Sequence, residues 1–160
     1  LPVQDFGNAF STFTAQNYGA GQSSRIKEAL KKATILSAAF SSAAAAAVFI
    51  FAEPLMRIFV SASETEVIAA GVRYLHIEGV FYAGIGCLFL LYGFYRAVEK
   101  PGMSVVLTVI SLGTRVLLAY LLAGIIGETG IWISVPIGWL LADIAGYGYC
   151  ILKRKRLFSD

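Results

Sequence analysis

Long apolar stretches alternate with short polar connections along the whole chain. Four of them are long enough for a membrane helix, because about 20 residues cross roughly 30 Å of hydrocarbon. A shorter apolar stretch with a polar stripe precedes them and is interpreted as part of a fifth helix, so we expect the chain to be a fragment. The predicted membrane helices cover approximately residues 1–21, 33–52, 67–96, 103–126 and 131–152.

This pattern predicts an all-α fold, a polytopic bundle of about five transmembrane helices. The composition agrees, because a soluble bundle of 160 residues would need more charged surface than 58% hydrophobic and 14% charged residues provide. A short basic amphipathic segment at 23–32 is predicted to lie on the cytoplasmic membrane surface, and residues 153–160 form a basic tail. The net charge of +3 comes from these regions, so it indicates orientation and not nucleic-acid binding.

Basic residues are concentrated in every second connection between the apolar stretches. They are Arg25, Lys27, Lys31 and Lys32, then Arg96 and Lys100, and finally Lys153, Arg154, Lys155 and Arg156. The intervening connections are acidic or mixed in charge. Because basic connections stay in the cytoplasm, the chain is predicted to be a multi-pass protein of the cell membrane with its C-terminus inside.

Ionisable residues inside the apolar stretches are the strongest functional candidates, since charge at bilayer depth costs about 2.5–3.5 kcal/mol even on a lenient scale. Tyr74, Glu78 and Tyr82 follow one another at four-residue spacing on the longest predicted helix. Glu78, with His76 and Tyr82 near it, is the candidate for proton or cation coupling. The alternative is that Arg73 or a neighbouring helix simply neutralises the Glu78 carboxylate.

Arg115 and Asp143 are predicted to lie at similar depths in the last two membrane helices. The favoured interpretation is an intramembrane ion pair that holds these two helices together. Under the alternative, one of the two side chains faces a central cavity and exchanges with substrate or cation.

Residue types that carry catalysis are sparse. His76 is the single histidine, and Asp5, Asp143 and Asp160 are the only aspartates, so no clustered carboxylates are available for Mg²⁺. The two cysteines are far apart and imply neither a zinc site nor a disulfide framework. We predict no enzyme, no catalytic residue, no cofactor and no metal site. An integral-membrane transferase is therefore the least favoured class, while a structural or receptor subunit stays open.

Three segments resemble helices in the later part of the multidrug and toxic compound extrusion (MATE) antiporter family. The segment 13–21, FTAQNYGAG, resembles the end of the eighth helix. Residues 74–122 resemble the tenth and eleventh helices, and residues 130–143, GIWISVPIGWLLAD, resemble the start of the twelfth helix. The resemblance implies two six-helix lobes around a central cavity. This chain would form most of the C-terminal lobe, and its partner would be the missing N-terminal lobe of the same protein.

The resemblance also implies alternating access in a lipid bilayer, with export of cationic, amphipathic small molecules in exchange for H⁺ or Na⁺. Gln16 and Asn17, inside the first matching segment, join the cavity or coupling candidates on this basis. Some members carry an aspartate in the middle of the tenth helix, where this chain has Gly84-Ile85-Gly86. Coupling would then depend on Glu78 or on an acidic residue of the other lobe. A flippase of related fold for lipid-linked sugars is the alternative, although it would need more cationic cavity residues than Arg115.

Overall fold

The computed structural model describes residues 2–158, and all the regular structure in that range is helical. The elements are α1 Pro2–Gly19, α2 Ser23–Phe59, α3 Thr65–Val80, α4 Tyr82–Ala97, α5 Pro101–Ile126, α6 Glu128–Leu152 and the short α7 Arg154–Leu157. The prediction of an all-α bundle is confirmed. Leu1 and the last two residues of the predicted basic tail, Ser159 and Asp160, lie outside the described residues.

The central helix of the bundle is α4, which packs against α1, α2, α5 and α6. A helix that is apolar on all sides is stable only when neighbours cover all of it. Its second half is largely of this kind, and five of its large side chains are fully buried. They are Leu88, Leu90, Leu91, Phe94 and Tyr95. Tyr95 also donates a hydrogen bond from its hydroxyl to the backbone carbonyl of Gly146 in α6, which ties the two helices together.

Glycines allow close backbone contact at two helix pairs. A Cβ atom at Gly93 would stand 2.6 Å from the carbonyl oxygen of Gly7, so α1 and α4 touch through their backbones. A Cβ atom at Gly138 in α6 would likewise meet the carbonyl oxygen of Ser111 in α5. Small residues at such contacts are the usual means by which membrane helices associate.

Helix α2 differs from the prediction at its start. The basic segment 23–32 does not form a separate helix, because α2 runs without a break from Ser23 through the predicted span. Its departure from helical geometry comes later, at Phe51, where φ is −101° and ψ is 16°. Pro54 lies three residues further on, and a proline removes a backbone donor and crowds the carbonyl four residues before it. The predicted helix end at residue 52 therefore corresponds to a kink.

The predicted long helix 67–96 is two helices, α3 and α4, bent by 51° around Phe81. Three helices, α2, α5 and α6, are each long and apolar enough to cross a membrane, and the bent pair makes a fourth if it is counted as one span. The predicted count of about five is one higher, because α1 is not among them. Polar residues are frequent along α1, including Gln4, Asp5, Asn8 and Gln16.

The connections gather at two ends of the bundle. At one end Lys27 of α2 lies 5.0 Å from the ring centroid of Phe158, and a single cavity is lined by Lys27, Lys31 and Arg154. We call this the basic end. At the opposite end Arg73 of α3 contacts Glu128 of α6 at 3.4 Å.

Candidate functional site

A cavity of about 700 Å³ lies between α2, α3, α5 and α6. Three of its lining residues are Tyr74, Glu78 and Tyr82, which the four-residue spacing placed on one helix face. Arg115 from α5 and two tryptophans of α6, Trp132 and Trp139, complete the polar and aromatic part of the wall. We call this space the Glu78 cavity.

The two charged side chains of the Glu78 cavity lack direct partners. One carboxylate oxygen of Glu78, Oε1, and the Nε atom of Arg115 are both buried without a hydrogen-bond partner in the described part of the chain. The two groups are near enough to interact electrostatically, yet they do not form an ion pair within 4.0 Å. Both residues line the cavity, and within the described part of the chain neither charge is neutralised by a close ion pair.

Aromatic rings surround these charges. Tyr74 and Trp132 meet edge to face with ring centroids 5.8 Å apart, and Tyr82 and Trp139 line the same space. Aromatic faces attract cations and planar ring systems. The wall thus combines one carboxylate, one guanidinium and four aromatic rings, which suits an amphipathic molecule that carries charge.

His76 does not share this cavity. Its Nε2 atom lies 3.1 Å from the backbone carbonyl oxygen of Phe49, and its ring stacks on the Phe49 ring at 4.0 Å. The reason is angular, since two residues along a helix correspond to a rotation of about 200°. His76 thus faces α2 at a different place, although it is close to Glu78 in sequence.

Gln16 and Asn17 lie at the end of α1, close to the basic end, and neither lines the Glu78 cavity. Asn17 is buried and donates a hydrogen bond from Nδ2 to the carbonyl oxygen of Phe13 at 2.8 Å. Gln16 is exposed. The structure therefore separates these two candidates from Glu78.

Arg115 and Asp143 do not form the predicted ion pair. The described residues contain three ion pairs, Lys32–Glu28, Arg57–Glu53 and Arg73–Glu128. Arg115 faces the Glu78 cavity, whereas Asp143 faces α4, where an added Cβ atom at Gly84 would lie 3.7 Å from the carboxylate oxygen Oδ2.

The physical reason for the missing pair is the position of each side chain around its helix. The α5-facing side of α6 is marked by Gly138. Asp143 follows it by five residues, which is a rotation of about 140° away from that side. Similar depth in the membrane therefore did not bring the two charges together.

A second group of polar contacts, near the basic end, was not predicted from the sequence. The hydroxyl groups of Thr34 in α2 and Tyr147 in α6 are hydrogen-bonded at 2.9 Å, across 113 positions of sequence. Tyr147 follows Asp143 by four residues, a helical spacing that could have indicated it, but Thr34 carries no comparable signal. Among residues 2–158, no group of three or more His, Cys, Asp or Glu side chains is arranged to hold a metal ion.

The fold and the cavity define a helical membrane protein with an internal cavity. Residues 1–121 match the MatE family, so the chain belongs to the MatE family. No solved structure gave a significant match to the chain.

Two curated relatives were found. The chain is 28% identical to a probable multidrug resistance protein, YpnP, of Bacillus subtilis (strain 168), over 100% of this chain and 36% of that protein. It is 29% identical to a FAD transporter of Shewanella oneidensis (strain MR-1), over 92% of this chain and 32% of the relative. The chain therefore spans about a third of the length of these relatives.

Proposed function

We propose that this chain is part of a cation-coupled antiporter that exports cationic, amphipathic compounds by alternating access. The observation that carries the proposal is the unpaired Glu78 carboxylate in a cavity lined by aromatic rings. An ionisable side chain at membrane depth without a fixed partner is typical of an ion or substrate site. Family membership favours a transporter over the integral-membrane transferase and the structural subunit considered from the sequence.

In the proposed mechanism, Glu78 alternates between a cationic substrate and the coupling ion, H⁺ or Na⁺. Its carboxylate attracts an organic cation whose planar part packs on Trp132 and Trp139. When the coupling ion neutralises Glu78, the positive charge of Arg115 remains in the same cavity and repels the cation. Substrate release then follows from ion binding, as antiport requires.

The proposal also includes an orientation and a partner. Because basic connections are retained in the cytoplasm, the basic end would face the cytoplasm of a cell membrane and the Glu78 cavity would lie nearer the outside. The transport pathway would form between this chain and an N-terminal lobe of the same protein. Exchange of access between two lobes around a fixed site is the usual arrangement in secondary transporters.

A second candidate substrate class is a planar anion. The unpaired Nε atom of Arg115 favours it, because a guanidinium is well suited to a phosphate group and the aromatic wall to a flavin-like ring. One relative is named a FAD transporter, and FAD is a molecule of this type. A flippase for lipid-linked sugars has less support, since Arg115 is the only cationic side chain among the described residues that line the cavity.

The test uses drug-sensitive cells that express the complete reading frame. Ethidium efflux and FAD export are measured with the H⁺ and Na⁺ gradients collapsed separately. We expect ethidium efflux that stops with one of the two gradients and thereby identifies the ion. FAD export without ethidium efflux would replace organic cations by planar anions as the substrate class. Ethidium efflux that continues when either gradient is collapsed would contradict cation coupling.

A further inference from the structure

A second cavity, of about 580 Å³, lies at the basic end between α2 and α6. We call it the basic-end cavity. Its lining includes three cationic side chains, Lys27 and Lys31 of α2 and Arg154 at the start of α7. No aspartate or glutamate is among the described residues that line it. The basic-end cavity therefore presents positive charge that no carboxylate of its own lining offsets.

The three cationic side chains of the cavity are not used in ion pairs within the described part of the chain. Glu28 is close to Lys27 and Lys31 in sequence, but its carboxylate is bound to Lys32 at 2.6 Å. The ammonium group of Lys27 lies 5.0 Å from the centroid of the Phe158 ring, an attractive contact that holds this charge beside the cavity. The cluster can therefore receive an anion without breaking an existing ion pair.

The chain after α6 folds back to complete this cluster. Phe158 is buried and packs on Phe94 of α4, with ring centroids 5.9 Å apart. This contact anchors the tail against the bundle and holds Arg154 at the cavity. The other basic residues of the tail are exposed and do not line the cavity. They are Lys153, Lys155 and Arg156.

The lining becomes apolar with distance from the basic end. Lys27, Lys31 and Ile35 follow at four-residue spacing on one face of α2, so the change takes about 12 Å of helix. On α6, Ile151 precedes Arg154 and also lines the cavity. Ile35 is 60% exposed and Ile151 is 72% exposed, as expected for side chains that face lipid. Because α2 leaves the basic end and α6 returns to it, the two helices change from cationic to apolar in the same direction.

The hydroxyl groups in the cavity are already engaged with the protein. Those of Thr34 and Tyr147 are hydrogen-bonded to each other at 2.9 Å, and Thr34 also donates to the carbonyl oxygen of Leu30 at 2.8 Å. The polar contacts left for a ligand are therefore mainly those of the three cations. A matching ligand carries a compact anionic group at one end and a long apolar chain at the other.

We propose that the basic-end cavity binds an anionic glycerophospholipid, with its phosphate among Lys27, Lys31 and Arg154 and an acyl chain along Ile35 and Ile151. Basic pockets between membrane helices suit the phosphate of a lipid headgroup, and a guanidinium forms paired hydrogen bonds with phosphate. Free phosphate would leave the apolar part of the cavity empty. A zwitterionic lipid would bring its own cation to the cluster. The site does not depend on the transported substrate or on the coupling ion.

The test is native mass spectrometry of the complete protein, purified in detergent and mixed with phosphatidylglycerol and phosphatidylcholine in equal amounts. We expect phosphatidylglycerol to be retained in preference to phosphatidylcholine. The combined variant Lys27→Gln, Lys31→Gln and Arg154→Gln should bind phosphatidylglycerol at least about tenfold more weakly.

The matched control is the combined variant Lys153→Gln, Lys155→Gln and Arg156→Gln. It removes the same three residue types and the same charge from the same end, but none of the three lines the cavity. We expect it to bind phosphatidylglycerol as the wild type does. Lys31→Gln alone, at an exposed position, should weaken binding and remains informative if the combined cavity variant fails to fold.

Two further measurements identify the ligand and its place. Inorganic phosphate, added as a competitor, should displace little phosphatidylglycerol, because it has no acyl chain. Phosphatidylglycerol with a photoreactive group in its acyl chain should label the peptides that contain Ile35 and Ile151. The cavity variant should lose this labelling, and the tail variant should keep it.

Four results would overturn the proposal. An equal loss in the two combined variants would mean that surface charge alone attracts the lipid. Equal retention of phosphatidylcholine would contradict recognition of an anionic headgroup. Displacement by inorganic phosphate as effective as by unlabelled phosphatidylglycerol would reduce the site to an anion site. Labelling that avoids Ile35 and Ile151 would show that another part of the complete protein covers the cavity.

Discussion

The two ends of the helical bundle differ in how closely the helices cover one another. Toward the basic end, most of α4 is buried, and the Tyr95 hydroxyl donates a hydrogen bond to the carbonyl oxygen of Gly146. Toward the opposite end, α3 has only Ile68 and Gly79 buried, and the cavity beside it contains a carboxylate with an unpartnered oxygen. We call these regions the packed half and the open half.

The difference lies in how the helices meet. In the packed half the backbones of α1 and α4 touch at Gly93, and the buried hydroxyl of Tyr95 is bound by a carbonyl group of α6. In the open half the bend between α3 and α4 moves α3 away from the axis of α4, and a cavity of about 700 Å³ remains. Stability depends mainly on the first region, and we propose that binding depends on the second.

The largest effect on stability is expected from Gly93→Ala in the packed half. The added Cβ would stand 2.6 Å from the carbonyl oxygen of Gly7, and a backbone atom cannot move aside at low cost. Overpacking of this kind costs about 1–3 kcal/mol, so the melting temperature of the complete protein in detergent should fall clearly. Gly124→Ala is the control, because no atom lies within 4 Å of the added Cβ there. Equal melting temperatures for the two variants would mean that α1 and α4 are not held as described.

A smaller loss is expected from Tyr95→Phe, which removes the hydroxyl that binds the Gly146 carbonyl. The net cost of one such hydrogen bond is about 1 kcal/mol. Tyr149→Phe serves as the comparison, because its half-buried ring packs edge to face on Tyr95 with centroids 6.0 Å apart. Thermal unfolding of both variants should show the larger loss for Tyr95→Phe, and the reverse order would remove the proposed link between α4 and α6.

The smallest effect on stability is expected from Glu128→Gln in the open half. Its contact with Arg73 measures 3.4 Å between exposed side chains, and such pairs contribute between about zero and 1 kcal/mol. Glu53→Gln, which breaks the exposed pair with Arg57, is expected to behave in the same way. A loss as large as that of Gly93→Ala in either variant would show that surface charge holds the open half together.

The sequence was sufficient to predict where residues lie along the helices. It predicted the four-residue stack of Tyr74, Glu78 and Tyr82, and the structure places all three on the wall of one cavity. The predicted helices 103–126 and 131–152 lie within three residues of α5 and α6, because helix length and hydrophobicity are properties of the local chain.

Positions around the helix axis were harder to predict from the sequence. Depth alone suggested that Arg115 and Asp143 meet, but the side of α6 that faces α5 is fixed by close contact at Gly138, which is a tertiary property. His76 was grouped with Glu78 for the same reason and faces Phe49 instead. The Thr34–Tyr147 contact depends on how α2 crosses α6, which no short-range pattern encodes.

The measurement that tests the central claim most directly is gradient-driven ethidium transport by the complete protein in vesicles, with Glu78→Gln compared against Glu53→Gln. Both variants remove one carboxylate from an otherwise unchanged helix, but only Glu78 lines the cavity. We predict that Glu78→Gln loses at least about tenfold in ion-driven transport while its melting temperature stays near that of the wild type. We predict that Glu53→Gln transports normally. Transport by Glu78→Gln at the wild-type rate, with the same dependence on the ion gradient, would contradict the account.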